Sequence, residues 1–290
     1  MVPVVDVSSP SAAPDLAAAL TDASCAWLVG HGVPLEQMHA VYDTARQFFA
    51  LPVEEKRLVE WPGTGLWRGW QPVVEGGDEY GGAARPTELL ERFEVNLTEP
   101  AGGPDNADNR WPSRPAALRP VWQAYSDAML SLSSRVLTLL AGELGLPAEE
   151  LPAWTERQFS NLVVNHYLPQ PSAPGEGRTR VIGHTDHGGV TLLWFDDAPG
   201  GLQVRRDKEW VDVRARPGAL LLQAGDLLER WTGGRVHAHR HRVVNPPPGP
   251  GNGRQSVVWF HHPEPTAEVA GVRVDEFVYG RQLAYRAGKV

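Results

Sequence analysis

One short stretch of the chain, VIGHTDHGGVTLLWFDDAPGGLQV (residues 181–204), contains three side chains that commonly bind metals: His184, Asp186 and His187. Side chains alternate between the two faces of a β-strand, so His184 and Asp186 point the same way, whereas His187 points back or lies in a turn. A histidine and a carboxylate on one face could form part of a 2-His-1-carboxylate triad, which leaves coordination positions open on the bound metal. An isolated pair of this kind is more often hydrogen-bonded surface decoration, so a metal site needs a third ligand.

A later segment, RVHAHRHRVV, offers that third ligand. Its histidines His237, His239 and His241 alternate with other residues, so a strand would place all three on one face, and the spacing does not choose among them. Arg254 and Ser256 follow in RQS, again two positions apart. A guanidinium fork and a hydroxyl together suit a carboxylate, although this short pattern alone is weak evidence.

The elements that must position these residues fall into two groups. Helices are predicted over residues 14–24, 34–52 and 116–144, where apolar residues recur every three or four positions. A polar stretch over residues 96–115 is predicted to be a surface loop. From about residue 158 the chain changes to eight short β segments joined by turns that contain Gly and Pro, which favours a jelly roll or barrel.

We therefore predict an α+β protein with a double-stranded β-helix core, that is, a cupin-like jelly roll, flanked by N-terminal and supporting helices. A chain of 290 residues of this type is commonly one domain. We divide it into a mainly helical N-terminal region (1–115), a supporting helix (116–155), a jelly-roll core (156–265) and a C-terminal segment (266–290).

The composition of the chain excludes some classes of function. The net charge of −8 argues against binding to nucleic acid or to an anionic membrane. A local basic pocket stays open as a possibility, with Arg92 and Arg180 as candidates, although solvated charges are more common. The single cysteine, Cys25, permits no intrachain disulfide. The chain has neither a signal-peptide pattern nor an apolar run of about 18 residues. We expect a cytoplasmic protein with no obligate protein partner.

Several segments, in this order, resemble the Fe(II)/2-oxoglutarate oxygenases of the isopenicillin N synthase type. They are WLVGHGVP with FFALPVEEK, HTDHGGVTLLWFDDAPGGLQV, GDLLERWTGGRVHAHRHRVVNPP and RQSVVWF. The resemblance implies Fe(II) as cofactor, with 2-oxoglutarate and O2 as cosubstrates. In that family the second ligand histidine directly precedes Arg-Val, so the resemblance implies His184, Asp186 and His241 as the metal ligands.

The same resemblance implies that Arg254 and Ser256 bind the distal carboxylate of 2-oxoglutarate. The segment NHYLPQ is similar to a family stretch that helps to hold this cosubstrate, which implies the same role for Asn165 and Tyr167.

The implied reaction is oxidation of a small molecule by hydroxylation, desaturation or cyclisation, with succinate and CO2 as coproducts, in bacterial specialised metabolism such as antibiotic biosynthesis. Trp67, Trp194, Phe260 and His239 are our candidates for substrate binding. The nearest alternative is an isopenicillin N synthase-like iron oxidase that does not use 2-oxoglutarate, because there the same Arg-x-Ser pair binds a carboxylate of the substrate. A zinc hydrolase and a non-catalytic cupin-like binding protein are further alternatives, and the sequence assigns no role to His187.

Overall fold

A computed structural model describes residues 1–63, 67–73, 88–96 and 109–286. Within these ranges no helix combines the length and the apolar character needed to cross a bilayer. The helices found in the described ranges are α1 (Ala12–Ala23), α2 (Leu35–Phe49), α3 (Val53–Arg57), α4 (Leu118–Leu144), α5 (Leu151–Thr155), α6 (Asp226–Trp231) and α7 (Val274–Arg286).

The strands form two main sheets and a short hairpin. The larger sheet has the order β1-β2-β10-β7-β12-β5-β4-β3 and the smaller one β6-β11-β8-β9; all neighbours are antiparallel except β1 and β2. This is the double-sheet arrangement predicted from the sequence. The strands are β1 (Val4–Asp6), β2 (Cys25–Val29), β3 (Gly69–Gln71), β4 (Leu90–Asn96), β5 (Asn161–Tyr167), β6 (Val181–His184), β7 (Val190–Phe195), β8 (Leu202–Arg206), β9 (Glu209–Val213), β10 (Leu220–Ala224), β11 (His241–Val243), β12 (Arg254–Phe260), β13 (Glu268–Val269) and β14 (Val272–Arg273).

The larger sheet is buried on both faces. Leu192 of β7 packs into the core that includes Trp122 of α4, whereas its neighbour Leu193 packs with Val204 between the two sheets. A strand covered on both faces has no solvent side, so VTLLWF and ALLLQA are nearly continuous apolar runs. The site forms on the face of the larger sheet that is turned toward the smaller sheet.

The structure differs from the prediction in two places, and it also gives a structure to the C-terminal segment, for which none was predicted. The N-terminal region is less helical than expected, because β1 to β4 lie in it and all join the larger sheet. The histidine-rich segment was expected to be one strand through His237, His239 and His241, but the strand, β11, begins only at His241. The C-terminal segment forms the β13–β14 hairpin and α7. Most of the predicted loop 96–115, residues 97–108, lies outside the described residues, and the one-domain assignment of residues 1–290 stays a prediction.

Candidate metal and cosubstrate site

Two short strands of the smaller sheet bring the predicted metal ligands together. His184 is the last residue of β6 and His241 is the first of β11, and the two are direct partners in the antiparallel register. Asp186 lies in the loop that follows β6. Its Oδ1 is 3.7 Å from His184 Nε2 and 3.6 Å from His241 Nε2. One ligand atom from each residue lies within 4.8 Å of the other two, so the three side chains can hold one ion.

Hydrogen bonds orient each of these ligand atoms. Nδ1 of His184 and Nδ1 of His241 lie 2.9 Å and 3.3 Å from backbone carbonyl oxygens. Because a carbonyl can only accept, Nδ1 carries the proton in each ring, and Nε2 presents its lone pair to a metal. The Thr191 hydroxyl donates to Asp186 Oδ2 at 2.6 Å, which leaves Oδ1 turned toward the two rings.

The charges of this cluster also fit a divalent cation. Burial, followed by the neighbouring His241, lowers the pKa of His184, so this imidazole is neutral near pH 7. Asp186 is buried, and among the described residues no lysine or arginine forms an ion pair with it. A buried carboxylate without a lysine or arginine partner lacks a compensating positive charge, which a metal ion supplies. Two histidines and one carboxylate are the donor set typical of non-haem Fe(II).

The other two histidines of the candidate segment lie elsewhere. Since the strand begins at His241, alternation does not extend to the residues before it. His239 Nδ1 lies 2.9 Å from the carbonyl oxygen of Arg205, and His237 is exposed beside Glu229. His239 therefore lies outside the cavity described next, which corrects the expectation that it contacts substrate.

A cavity of about 1150 Å³, counted to include its part open to solvent, lies between the two sheets beside the metal-binding cluster. The four residues expected to hold the cosubstrate lie together in it, because Arg254 pairs with Tyr167, and Ser256 with Asn165, in the β12–β5 register. Asn165 Nδ2 donates to Ser256 Oγ at 3.4 Å. Alternate residues of the two strands line the cavity: Asn161, Val163, Asn165 and Tyr167 from β5, and Arg254, Ser256, Val258 and Phe260 from β12.

Positive charge is concentrated at the Arg254 end of the cavity. Arg254 is 4% exposed and Arg180 is 0% exposed, and their guanidinium carbons lie 5.6 Å and 5.5 Å from the centre of the Tyr167 ring. Arg180 Nη1 donates to the carbonyls of Pro199 and Gly200 at 2.7 Å and 2.8 Å. Burial, and next Arg254, lower the pKa of Arg180 to about 10. Arg180 therefore supports the loop that contains Pro199 and Gly200, and of these two arginines only Arg254 lines the cavity.

The β4 side of the cavity carries two ion pairs. Arg92 and Glu94 project into it from β4; Arg92 Nη2 is 3.1 Å from Glu88 Oε2. Glu94 Oε1 accepts from Asn161 Nδ2 at 2.8 Å and lies 3.8 Å from Arg68 Nη1. Burial raises the pKa of Glu94 to about 7 although Arg68 opposes the shift. Sequence reasoning missed Glu94. Its only signal is charge alternation in LERFEVN, which is equally typical of a strand facing solvent.

Helix α7 borders the same side of the cavity. Arg281 Nη2 lies 2.9 Å from Asp226 Oδ2 and donates to Thr185 Oγ1 at 2.8 Å. His187, which the sequence left without a role, lines the cavity with its Nδ1 3.9 Å from Asp226 Oδ2. The side chains of α7 that line the cavity are Val278, Gln282 and Tyr285.

Trp67 and Phe260 line the cavity as the substrate-binding prediction requires, but Trp194 does not. Leu193 faces the cavity, so strand alternation turns Trp194 to the outer face of the sheet, where its ring packs 5.4 Å from that of Tyr42. The aromatic character of Trp194 was visible in the sequence, whereas the face it occupies depends on the strand register.

Both halves of the chain match known families. Residues 159–263 match the 2OG-Fe(II) oxygenase superfamily, and residues 2–114 match the family described as non-haem dioxygenase in morphine synthesis N-terminal. Validamycin A dioxygenase of Streptomyces hygroscopicus subsp. limoneus is 34% identical over 83% of this chain and 69% of its own length. Flavanone 3-dioxygenase of Petroselinum crispum is 31% identical over 86% of this chain and 64% of its own length.

The fold has close counterparts among solved structures. A full-length protein of Neurospora crassa, crystallised in complex with alpha-KG and thymine, superposes with a TM-score of 0.83. The superposition covers 98% of this chain and 97% of that one at 22% identity. The likeness therefore confirms the jelly-roll fold over essentially the whole chain.

A jelly roll with two histidines and a carboxylate converging in its inner cavity defines the class of non-haem iron oxygenases. With the family matches and the relatives above, the chain belongs to the 2OG-Fe(II) oxygenase superfamily. It is a dioxygenase, and the predicted use of Fe(II) and 2-oxoglutarate is confirmed at the level of the family.

Proposed function

We propose that His184, Asp186 and His241 hold Fe(II) while Arg254 and Ser256 bind the distal carboxylate of 2-oxoglutarate. The enzyme then oxidises a small molecule, with succinate and CO2 as coproducts. One observation carries the proposal: the three metal-binding atoms and a buried guanidinium line the same cavity. An acid whose keto end chelates the metal can therefore reach the cation with its other end.

The division of labour between cofactor and protein follows from this arrangement. When bound, Fe(II) and 2-oxoglutarate supply the oxidant for a C–H bond, using O2 and releasing CO2. The protein contributes only three ligands and so leaves coordination positions open. Thr191 holds Asp186 in one orientation. Leu193, Leu202 and Val258 line the cavity near the cosubstrate residues and exclude water from it.

Asn165 and Tyr167 assist the carboxylate clamp in different ways. Because Asn165 donates to the Ser256 oxygen, the Ser256 hydroxyl proton is left to be donated to the carboxylate. The Tyr167 ring lies between Arg254 and Arg180, where its electron-rich faces stabilise two neighbouring cations.

We assign the substrate to the end of the cavity near Glu94 and Phe260, because the other end, near Arg254, is taken by the cosubstrate. Trp67 and Phe260 offer aromatic surface there, and Arg92 and Glu94 offer polar groups. A mixed lining of this kind suits a small molecule with both apolar and hydrogen-bonding parts. The similarity to validamycin A dioxygenase, a bacterial enzyme, supports a role in bacterial specialised metabolism. The oxidation is a hydroxylation, a desaturation or a cyclisation.

The test combines binding with turnover. Anaerobic addition of 2-oxoglutarate to the Fe(II)-loaded protein should produce a metal-to-ligand charge-transfer band, and air with a candidate substrate should then release succinate. Separate Ala substitutions of His184, Asp186 and His241 should remove the band. His237→Ala, at an exposed histidine outside the cavity, should keep it. Fe(II) binding without a charge-transfer band on addition of 2-oxoglutarate would contradict the proposal and favour the 2-oxoglutarate-independent oxidase. Activity that persists without O2 would favour a hydrolase.

A further inference from the structure

The guanidinium of Arg254 is held only loosely by the residues that touch it directly. Its Nη1 donates to the carbonyl of Gly200 at 3.3 Å, and its Nε has no hydrogen-bond partner in the described part of the chain. The Phe195 ring centre lies 4.7 Å from its Cζ. Ring contacts and one long hydrogen bond confine the plane of the guanidinium but do not fix its rotation, which bidentate recognition of a carboxylate requires.

Asp196, the residue after β7, lies on the Nε side of this guanidinium. Its Oδ1 is 4.0 Å from Arg254 Nε. Its Oδ2 accepts from the Tyr42 hydroxyl at 2.5 Å and from the Gln255 backbone N–H at 3.1 Å. The carboxylate is therefore fixed by a helix on one side and by the strand of Arg254 on the other. Burial and Asp196 raise the pKa of Tyr42, so its hydroxyl stays protonated and continues to donate.

Helix α2 is also tied to β12 by a second bond, from Gln255 Nε2 to the backbone carbonyl of Tyr42 at 2.8 Å. Tyr42 of α2 is therefore bonded both to Asp196 and to Gln255, the residue next to Arg254 in β12. We propose that Asp196, itself held by Tyr42, is a positioning residue for the cosubstrate site: it attracts the Nε side of Arg254 and thereby turns the Nη nitrogens toward the ligand carboxylate. This inference rests on the proposed function, in which Arg254 binds 2-oxoglutarate.

A carboxylate beside Arg254 can either position its guanidinium or offset its charge. The direction in which Asp196→Asn changes the affinity for 2-oxoglutarate distinguishes these two roles. If Asp196 positions Arg254, Asp196→Asn loosens the guanidinium and weakens 2-oxoglutarate binding. If Asp196 only offsets the charge of Arg254, the same substitution adds net positive charge and tightens binding of the dianion. Asp196→Asn keeps the size of the side chain and an oxygen that Tyr42 can still donate to.

The experiment is an anaerobic titration of the Fe(II)-loaded protein with 2-oxoglutarate, followed by steady-state kinetics. We expect Asp196→Asn to raise the Kd of 2-oxoglutarate about tenfold, because it removes an ionic contact with Arg254, and Tyr42→Phe to raise it about threefold, because it removes one hydrogen bond to Asp196. KM for 2-oxoglutarate should rise in parallel, whereas kcat at saturating 2-oxoglutarate and the affinity for Fe(II) should stay within about twofold of wild type, since neither residue contacts the metal-binding cluster. A general loss of structure would change all four quantities.

Asp212→Asn is the matched control, because Asp212 is exposed on β9 and accepts a side-chain hydrogen bond from Gln203 at 2.9 Å. It should leave the Kd of 2-oxoglutarate unchanged. An unchanged or lower Kd in Asp196→Asn, with wild-type Fe(II) affinity, overturns the positioning role. A wild-type protein that binds Fe(II) but shows no 2-oxoglutarate band overturns the proposed function itself, so the two failures are distinguishable.

Discussion

Thr191 is the residue on which the orientation of Asp186 depends. Its hydroxyl donates to Asp186 Oδ2 at 2.6 Å, and both side chains are buried. Thr191→Val keeps the volume and removes the donor, so the carboxylate can rotate and one of its oxygens loses its partner. We expect Fe(II) affinity to fall about 10- to 100-fold, measured by competition with a chelator. Thr44→Val, which removes a buried hydroxyl within α2, should leave the affinity unchanged; equal losses in both would contradict this role.

Glu94 makes the stability of the protein depend on pH. Burial raises its pKa from 4.5 to about 7, so the folded protein binds the proton more tightly than the unfolded chain does. Stability from this group is full below about pH 4.5 and is lost as the pH rises through about 7. Glu94→Gln, which mimics the protonated form, removes this dependence.

The measurement is the free energy of unfolding in urea for wild type and Glu94→Gln between about pH 5 and about pH 8. Wild type should lose up to about 3 kcal/mol relative to the variant over this range. The variant also leaves Arg68 without its partner, but that cost is the same at every pH, so the test uses the change in the difference. Parallel curves for the two proteins would show that Glu94 is ionised throughout.

At the scale of secondary-structure elements, the sequence predicts the helices and strands that bury a regular apolar face. Helix α4 was predicted over 116–144 and spans Leu118–Leu144, because one apolar stripe faces the sheet. Strand β4 was missed because Arg92 and Glu94 face the cavity, so its pattern is that of a strand with one face in solvent. Strand alternation also decides which site residues could be predicted. It correctly placed Arg254 and Ser256 on one face, because both lie in a strand. It wrongly placed His239 with His241, because the strand begins only at His241.

Arg281 links helix α7 to the loop after β6 and to α6 beside the cavity. This side chain is 30% exposed and contacts both Asp226 and Thr185. We expect Arg281→Ala to weaken the docking of α7 by about 1 kcal/mol, which would speed amide hydrogen exchange within Val274–Arg286 about fivefold. Arg273→Ala is the control, since Arg273 pairs with Asp275 at a more exposed position. Exchange in α7 that is equally fast in both variants would contradict an anchoring role for Arg281.

At the scale of the whole molecule, the two ends of the cavity carry buried charge of opposite sign. The cluster of His184, Asp186 and His241 lacks a buried cation among the described residues, whereas the end with Arg180 and Arg254 carries buried positive charge. Each end is stabilised by the ligand that the other would repel. Metal and cosubstrate should therefore stabilise the fold in two separable increments.

Thermal unfolding under anaerobic conditions measures these increments. A ligand at about 100 times its Kd stabilises the folded state by about 2.7 kcal/mol, so Fe(II) alone and then 2-oxoglutarate should each raise Tm by several degrees. Arg254→Gln should keep the Fe(II) increment and lose most of the 2-oxoglutarate increment. Asp186→Ala should lose both, because the keto acid needs the metal as its second anchor. Each variant is compared with its own ligand-free form, which removes any effect of the substitution on the fold itself. Full retention of the 2-oxoglutarate increment in Asp186→Ala would mean that the acid binds without the metal and that the two ends of the cavity act independently.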